Sequence, residues 1–508
     1  MTREVDEKLH SAAPVVMIEA AGGCGKTTKA AKYAREATER LSSGKVLLLS
    51  HTHAACGEFQ RRCAALDEKI DVETCDSFCL KAIGAYARPL GLPSPIESNL
   101  GRVDGGIAFS TLSEKAAELF RRAPTVARAV AAHYPVIVLD EHQDASIHQH
   151  EVVRLLREIG NARLRIFGDP MQAIHPANDS IYVDWDAVWA AANDTGSLEE
   201  PHRWADAPDL GEWVMASRAA LKAGNPISLR NAPACVSAIS YNGLAGREQF
   251  RDVPTASREV HRFLDGAPDS AAVLVFLGNM AKSTAQAGSW RAPLNEGAQL
   301  DELDALIQAL EAHAGNAEGL AGAFLDFLAV IGVGLTADIS DGLRGRLGAT
   351  INRGRAGRNQ LAWLDCLEPI YASPDHRGMA AAMRMVRDTL PVGYTIRFAD
   401  HVWALCAFEW TDDPRSFRST LGRIRRRRKW PPKMVSTIHK AKGLDFDHVL
   451  LCPVDRHQYP ADLLGARLLY VALSRAKRSL RLVLAGDAPT QHLVMGEACR
   501  VNSQRGYE

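Results

Sequence analysis

The chain has 508 residues, too many for one hydrophobic core and enough for about two to four domains. Hydrophobic residues make up 46%, an ordinary globular share, and 60 basic residues cancel 60 acidic ones, so any nucleic-acid surface must be a local basic patch. The charged start MTREVDEKLH has no apolar signal core, and the greasiest run, Phe324 to Leu335, is interrupted by Asp326 and too short to span a bilayer; a membrane protein is excluded and a cytoplasmic location is expected.

The ten cysteines include no CxxC pair, and Cys75 and Cys79 read as core thiols, so neither zinc nor an iron–sulfur cluster is expected. The first informative stretch is Val15 to Thr28, VVMIEAAGGCGKTT. Its apolar start suits a buried parallel strand, and Lys29 to Leu41 suits a helix. Between them, Ala20, Ala21, Gly22, Gly23, Cys24, Gly25, Lys26, Thr27 and Thr28 form a phosphate cradle. Glycines let backbone N–H groups converge on an anion, the helix points its positive end there, Lys26 adds a mobile cation, and the Thr27 hydroxyl can ligate Mg²⁺.

Lys45 to Ser50 reads as a second buried strand running into Thr52 and His53, and Ile70 to Cys75 as a third ending in Asp76, Ser77 and Phe78. Small hydroxyls and an aromatic ring at adjacent strand ends suit a phosphodiester chain and its bases, or else ordinary helix caps. Residues 84–130, Pro-rich and then helical, read as a small insertion. In Pro135 to Asp144, PVIVLDEHQD, four apolar residues place Asp140 and Glu141 at a strand's carboxyl end, one carboxylate to hold Mg²⁺ and one to position the attacking water. Leu164 to His175 is a further strand, after which Gln172 can reach a γ-phosphate. Leu198 to Trp204 supplies Arg203.

In the second half, Ala271 to Leu277 reads as the first strand of another lobe. Gln299 to Ala312 has an amphipathic helical pattern, Phe324 to Leu335 a buried one, and Ile351 to Arg358 is rich in Gly and Arg. Arg423 to Lys429, RIRRRRK, packs six cations into seven residues and reads either as a phosphate-backbone contact or as a solvated linker. Thr437 to Lys442 offers a hydroxyl, His439 and Lys440 at a strand end; His448 to Val454 is the next buried strand, and Arg475 is placed on a helix beginning near Leu468. The tail after Ala485 has no nuclease-like set of carboxylates.

Eight of these segments, in this order, resemble the UvrD/Rep/PcrA-type superfamily-one helicases: AxxGxGKT at Ala20 to Thr27, THAACGEF at Thr52 to Phe59, TCDSFC at Thr74 to Cys79, DEHQD at Asp140 to Asp144, FGDPMQAIH at Phe167 to His175, LEEPHRW at Leu198 to Trp204, TIHKAKGLDFD at Thr437 to Asp447 and RLLYVALSRAK at Arg467 to Lys477. The resemblance implies an α/β fold of the P-loop NTPase kind, two RecA-like parallel-sheet lobes with helical insertions. Lobe one would span 1–83 and 131–205, lobe two 206–288 and 430–508, with a reduced helical accessory subdomain over 289–429. It implies an ATP-hydrolysing translocase on single-stranded or partly duplex DNA, usually 3′ to 5′. By position, Lys26 and Thr27 would hold phosphates and Mg²⁺, Asp140 would hold Mg²⁺ through water, and Glu141 would be the catalytic base. Gln172 would sense the γ-phosphate, Arg203 and Arg475 would be arginine fingers, and Asp445 would lie near the ribose.

The chain departs from that family in several places. No Gln precedes Gln60 to read adenine, and His175 replaces a Tyr ahead of Pro176-Ala177-Asn178, so base stacking falls to His175, Tyr182 or Trp185. The short accessory region and size also resemble the helicase subunit of Gabija-type anti-phage systems, which works with a separate nuclease. Two other readings stay open: a nucleotide- and DNA-sensing regulatory subunit that does not unwind, and an RNA-directed helicase.

Overall fold

The computed structural model describes residues 2–64, 68–94, 96, 107–175, 181–241, 254–276, 300–389, 391–396, 405, 432–494 and 500–501. Its first sheet is built from five strands read above, β1 (Val15–Ala20), β2 (Val46–Ser50), β3 (Ile70–Thr74), β4 (Val136–Leu139) and β5 (Arg163–Gly168), joined by β6 (Asp194–Leu198), whose DTGSL carries no apolar run. All neighbours pair in parallel, in the order β3-β2-β4-β5-β1-β6. Parallel strands need crossover helices, and these cover both faces, which is why the inner strands β2 and β4 are buried without alternation while the edge strands IDVET and DTGSL are not.

Successive residues of each strand feed opposite layers. Val16, Ile18, Val46, Leu48 and Phe167 pack under α2 (Lys26–Glu39) and α3 (His53–Cys63), preceded in the chain by α1 (Thr2–Leu9). Met17, Leu47, Leu49, Ile137 and Leu164 pack under the opposite helices, α4 (Cys75–Gly84), α5 (Phe109–Arg122), α6 (Pro124–His133) and α7 (Ile147–Gly160). Helices α5 and α6, from the segment read as a small insertion between two strands, pack on one face of the sheet through Leu112, Ala116, Phe120, Ala127 and Ala131.

The N-terminal segment is held by one cation. Arg165, in β5, is fully buried and donates from Nε to Leu9 O (2.7 Å), from Nη2 to Ser11 O (2.9 Å) and from Nη1 to Ala13 O (2.9 Å). Each buried acceptor left without a donor costs about 1–3 kcal/mol. Arg165→Ala is accordingly expected to destabilise the protein by about 3 kcal/mol or more. A urea unfolding midpoint that stays put in this variant would count against the clamp.

After α8 (Trp185–Ala191), α9 (Pro208–Lys222) leads into the second sheet. The short β7 (Ile227–Ser228) is followed by β8 (Val236–Tyr241), α10 (Pro254–Gly266) and β9 (Ala271–Val275). By internal packing the chain then leaves this unit, 1–295 with 432–508, for a second unit, 296–431. That second unit holds helices at Leu300–Ala312, Ala317–Ile331, Ala337–Arg344, Arg358–Ala372 and His376–Thr389, and a small antiparallel pair of β10 (Gly332–Val333) and β11 (Thr395–Ile396). Its core includes Phe324, Leu328, Trp363, Leu367 and Met383, and the Tyr394 hydroxyl closes it by donating to Leu328 O at 2.6 Å. The basic run 423–429 lies outside the described residues.

The chain re-enters the first unit at β12 (Lys433–Thr437), followed by β13 (Phe446–Val454), a helix at Leu463–Leu473, β14 (Ala476–Ala485), β15 (Leu493–Val494) and β16 (Arg500–Val501). The second sheet runs β12-β9-β13-β14-β8-β16, every pair parallel, while β7 and β15 pair apart from it. Two parallel sheets with helical crossovers are the expected lobes, in one packed unit. Among the described residues no helix is long and apolar enough to cross a membrane.

Candidate nucleotide and nucleic-acid site

Ligands of parallel sheets lie beyond the carboxyl ends of the strands. Here β1 ends in the cradle, β4 in Asp140 and Glu141, and β5 in Asp169, with β5 between the other two. Gly23 and Gly25 have φ of 86° and 75°, which side chains rarely adopt, and a Cβ on Gly23 would lie 2.8 Å from that of Arg203. Helix α2 starts at Lys26, so its free N–H groups open into the loop.

Lys26 is buried and its Nζ lies 2.6 Å from Glu141 Oε2. Burial alone would pull the ammonium down, but the carboxylates of Glu141 and Asp140 outweigh it and hold it above its ordinary value. Glu141 shows the complementary effect: burial opposes ionisation, yet Lys26 and Lys442 keep it well below the usual carboxylate range. Asp140 goes the other way, raised by burial first and then by Glu141 beside it, although Lys26 opposes this. Its Oδ1 is buried without a hydrogen-bond partner. A buried carboxylate with an orphaned oxygen, at the strand end that faces Lys26, fits a hard divalent cation such as Mg²⁺. Glu141 also sits at φ 54°, in the left-handed region, a strain of about 1–3 kcal/mol of the sort that collects at reacting centres.

Gln143 links the two acidic strand ends. Its Nε2 donates to Glu141 Oε2 at 2.7 Å, and its Oε1 accepts from Asp169 N at 3.0 Å. Gln172 donates to Asp169 Oδ2 at 3.0 Å and would meet a Cβ placed on Gly22 at 3.0 Å, so it stands at the cradle.

The second lobe closes on the same point. Gly22 N donates to the Tyr470 hydroxyl at 2.8 Å, and that hydroxyl donates to Asp169 Oδ2 at 3.1 Å. Arg203 donates from its backbone to Gly23 O (3.0 Å) and from Nη1 to Ser474 O (2.6 Å), and its Nε is 3.6 Å from Asp445. Lys442 reaches back to Asp144 Oδ1 (2.6 Å) and Gln172 O (2.7 Å). Arg475 lies beyond the end of the Leu463–Leu473 helix, not on it, in the turn into β14. Its guanidinium is 1% exposed and donates to Val471 O, Leu444 O and Ser474 Oγ. Burial, and then the like charge of Arg203, push it below its ordinary value.

Beside the cradle lies a cavity of about 380 Å³ whose lining includes Cys24, Thr28, Lys29, Lys32, Leu198 and His202. That volume suits a small ligand such as a nucleoside. Burial pushes the Cys24 thiol up to about 12, so it lines the cavity as a neutral group. Lys29 and Lys32 are both paired with Asp6 of α1.

The expected nucleic-acid residues divide sharply. Phe78 and Trp185 are 4% and 7% exposed in the core beneath the first sheet, so neither ring offers a face to a base. Thr52 caps α3 by accepting from Ala55 N at 3.1 Å, and Ser77 bonds back to the Thr74 cap. The His53 side chain and residues 176–178 lie outside the described residues. His175 is half-buried and stacked on Tyr182 at 3.8 Å between ring centroids. His439 and Lys440 are exposed at the start of the short helix Ile438–Ala441, with His439 beside Phe276.

The family model for the UvrD/REP helicase N-terminal domain matches residues 96–177, and that for the UvrD-like helicase C-terminal domain matches residues 433–483. Its two matched segments are those of a UvrD/Rep-like helicase. The first match takes in the Asp140–Asp144 and Asp169–Gln172 ends, the second the Thr437–Lys442 and Tyr470–Arg475 turns, so the two meet across the site just described. No curated protein matches the chain. Tyr470 and Asp169 are members of this site that the sequence expectations passed over; both stand inside quoted segments, but their roles come from contacts that join residues hundreds of positions apart.

Proposed function

We propose that this helicase hydrolyses ATP with Mg²⁺ and uses the cycle to translocate 3′ to 5′ along single-stranded DNA. The observation that carries the reading is the contact of both lobes on one loop: Gly22 bonds Tyr470, and Arg203, whose backbone holds Gly23, bonds Ser474 beside Arg475. On this reading Lys26 leaves Glu141 for the β- and γ-phosphates, freeing the Glu141 carboxylate to take a proton from the attacking water. Gln172 and Gln143 orient the terminal phosphate and the water, while Arg203 and Arg475 neutralise charge that develops there. Thr27 and Asp140 would hold Mg²⁺, whose charge would offset that of the phosphates. Loss of the γ-phosphate releases the second-lobe turn, and strand contacts at His439 and Lys440 move with it.

Steady-state ATP hydrolysis with DNA and RNA oligonucleotides of matched sequence tests this. Stimulation by single-stranded DNA above RNA is expected, as is ATP-dependent release of streptavidin from a 5′ and not a 3′ end. Nucleotide binding without DNA-stimulated turnover would favour a regulatory subunit instead, and stronger stimulation by RNA an RNA-directed helicase.

A further inference from the structure

Helix α9 carries a buried cation. Leu210, Trp213, Val214 and Leu221 seat the helix in the second lobe's core, and Arg218 shares that side at 9% exposure. Its Nη2 lies 2.7 Å from Asp169 Oδ1 and 2.6 Å from Glu19 Oε1, and its Nε donates to the same Asp169 oxygen at 3.3 Å. Lys222, one helical turn on, also donates to Glu19 Oε1 at 2.6 Å. Glu19 belongs to β1, directly ahead of the cradle. A buried guanidinium is tolerated only when it is paired, and here both partners come from the first lobe.

The division of labour on Asp169 is the informative point. Arg218 and Met171 N occupy Oδ1, which leaves Oδ2 for the Gln172 amide and the Tyr470 hydroxyl, the latter in turn accepting from Gly22 N. The Arg218 guanidinium also lies over the Tyr470 ring, 5.8 Å from its centroid. Fixing one oxygen of a carboxylate fixes the direction of the other. We propose that Arg218 is a positioning residue: by holding Asp169 it sets Gln172 and Tyr470 against the phosphate cradle, and so links α9 of the second lobe to the phosphate end of the site.

This inference rests on the ATP-site reading above, and its tests separate the two. In the full-length protein, Arg218→Met is expected to lower kcat for ATP about tenfold or more, since small misplacements near the reacting atoms are costly. KM for ATP should shift less than about threefold, because Lys26 and the start of α2 are not among the partners of Arg218. Arg218→Lys, which keeps the charge and can reach one carboxylate, should recover part of the loss. Tyr470→Phe removes a single hydroxyl and should lower kcat in the same direction without adding to Arg218→Met; it decides the matter if Arg218→Met fails to fold. Unchanged kcat, or additive losses, would overturn the proposal. Amide hydrogen exchange gives an answer that needs no turnover: Gly22 N–H, held by Tyr470, should exchange faster in Arg218→Met. If the wild type does not hydrolyse ATP, the ATPase reading fails, while unaltered protection at Gly22 overturns the role of Arg218 on its own.

Discussion

Glu141→Gln is expected to bind ATP as well as the wild type or better while turnover falls by about 10² to 10⁴. The amide keeps the shape of the carboxylate and, at φ 54°, the same strained backbone position. It cannot take a proton from water. The gain in binding has a separate cause. Lys26 lies 2.6 Å from Glu141, so a triphosphate must compete with that carboxylate for the ammonium. Removing the competitor's charge leaves Lys26 more available, and a buried cation deprived of its partner gains more from an incoming anion. Equilibrium binding of a fluorescent ATP analogue together with kcat checks both halves. Wild-type turnover in this variant would take Glu141 out of its role, and weaker binding would mean the ion pair helps to build the cradle.

How much of this could be read in the residue string depends on the range of the interaction. The inner strands were legible because buried parallel strands are apolar throughout; VVMIEA and VLLLS leave few alternatives, whereas DTGSL and VSAISY, toward the sheet edges, carry no such run. The cradle was legible for a local reason, since Gly23 and Gly25 supply positive φ and Lys26 opens the helix. Burial was not. Phe78 and Trp185 follow strand ends that face the ligand side, yet the turn of α4 and the start of α8 swing both rings into the core, where Trp185 packs over Gly168. Arg475 was misplaced by one element because the apolar periodicity of LLYVAL runs smoothly into the strand that follows. The left-handed Glu141 leaves no mark in a sequence, and Arg218 gives none either. A lone arginine in WVMASRAALK reads as the solvent face of a helix until Glu19 and Asp169, 199 and 49 residues away in the chain, are brought to it by the fold.

Arg475→Ala should lose about 10³ to 10⁵ in the rate of ATP hydrolysis with a much smaller loss of ATP affinity. The side chain is fully buried, and its hydrogen-bond partners are two carbonyls and a hydroxyl, all neutral. Arg203 stands close enough to push it down further, so two guanidinium groups lie near one another. Such a pair is stabilised by an anion arriving between the lobes, most of all by one whose charge grows as the terminal phosphoryl group departs. The structural cost of the change is separable: three acceptors lose their donor, at about 1–3 kcal/mol each if water cannot reach them. Arg475→Lys addresses this. Lysine restores a buried positive charge but lacks the planar fork that satisfies Val471, Leu444 and Ser474 together, so hydrolysis should stay low in both variants. Single-turnover hydrolysis and nucleotide binding, measured on folded protein in the presence of single-stranded DNA, give rate and affinity separately. Equal losses of the two would show that Arg475 holds the nucleotide in its ground state and is not acting on the transition state.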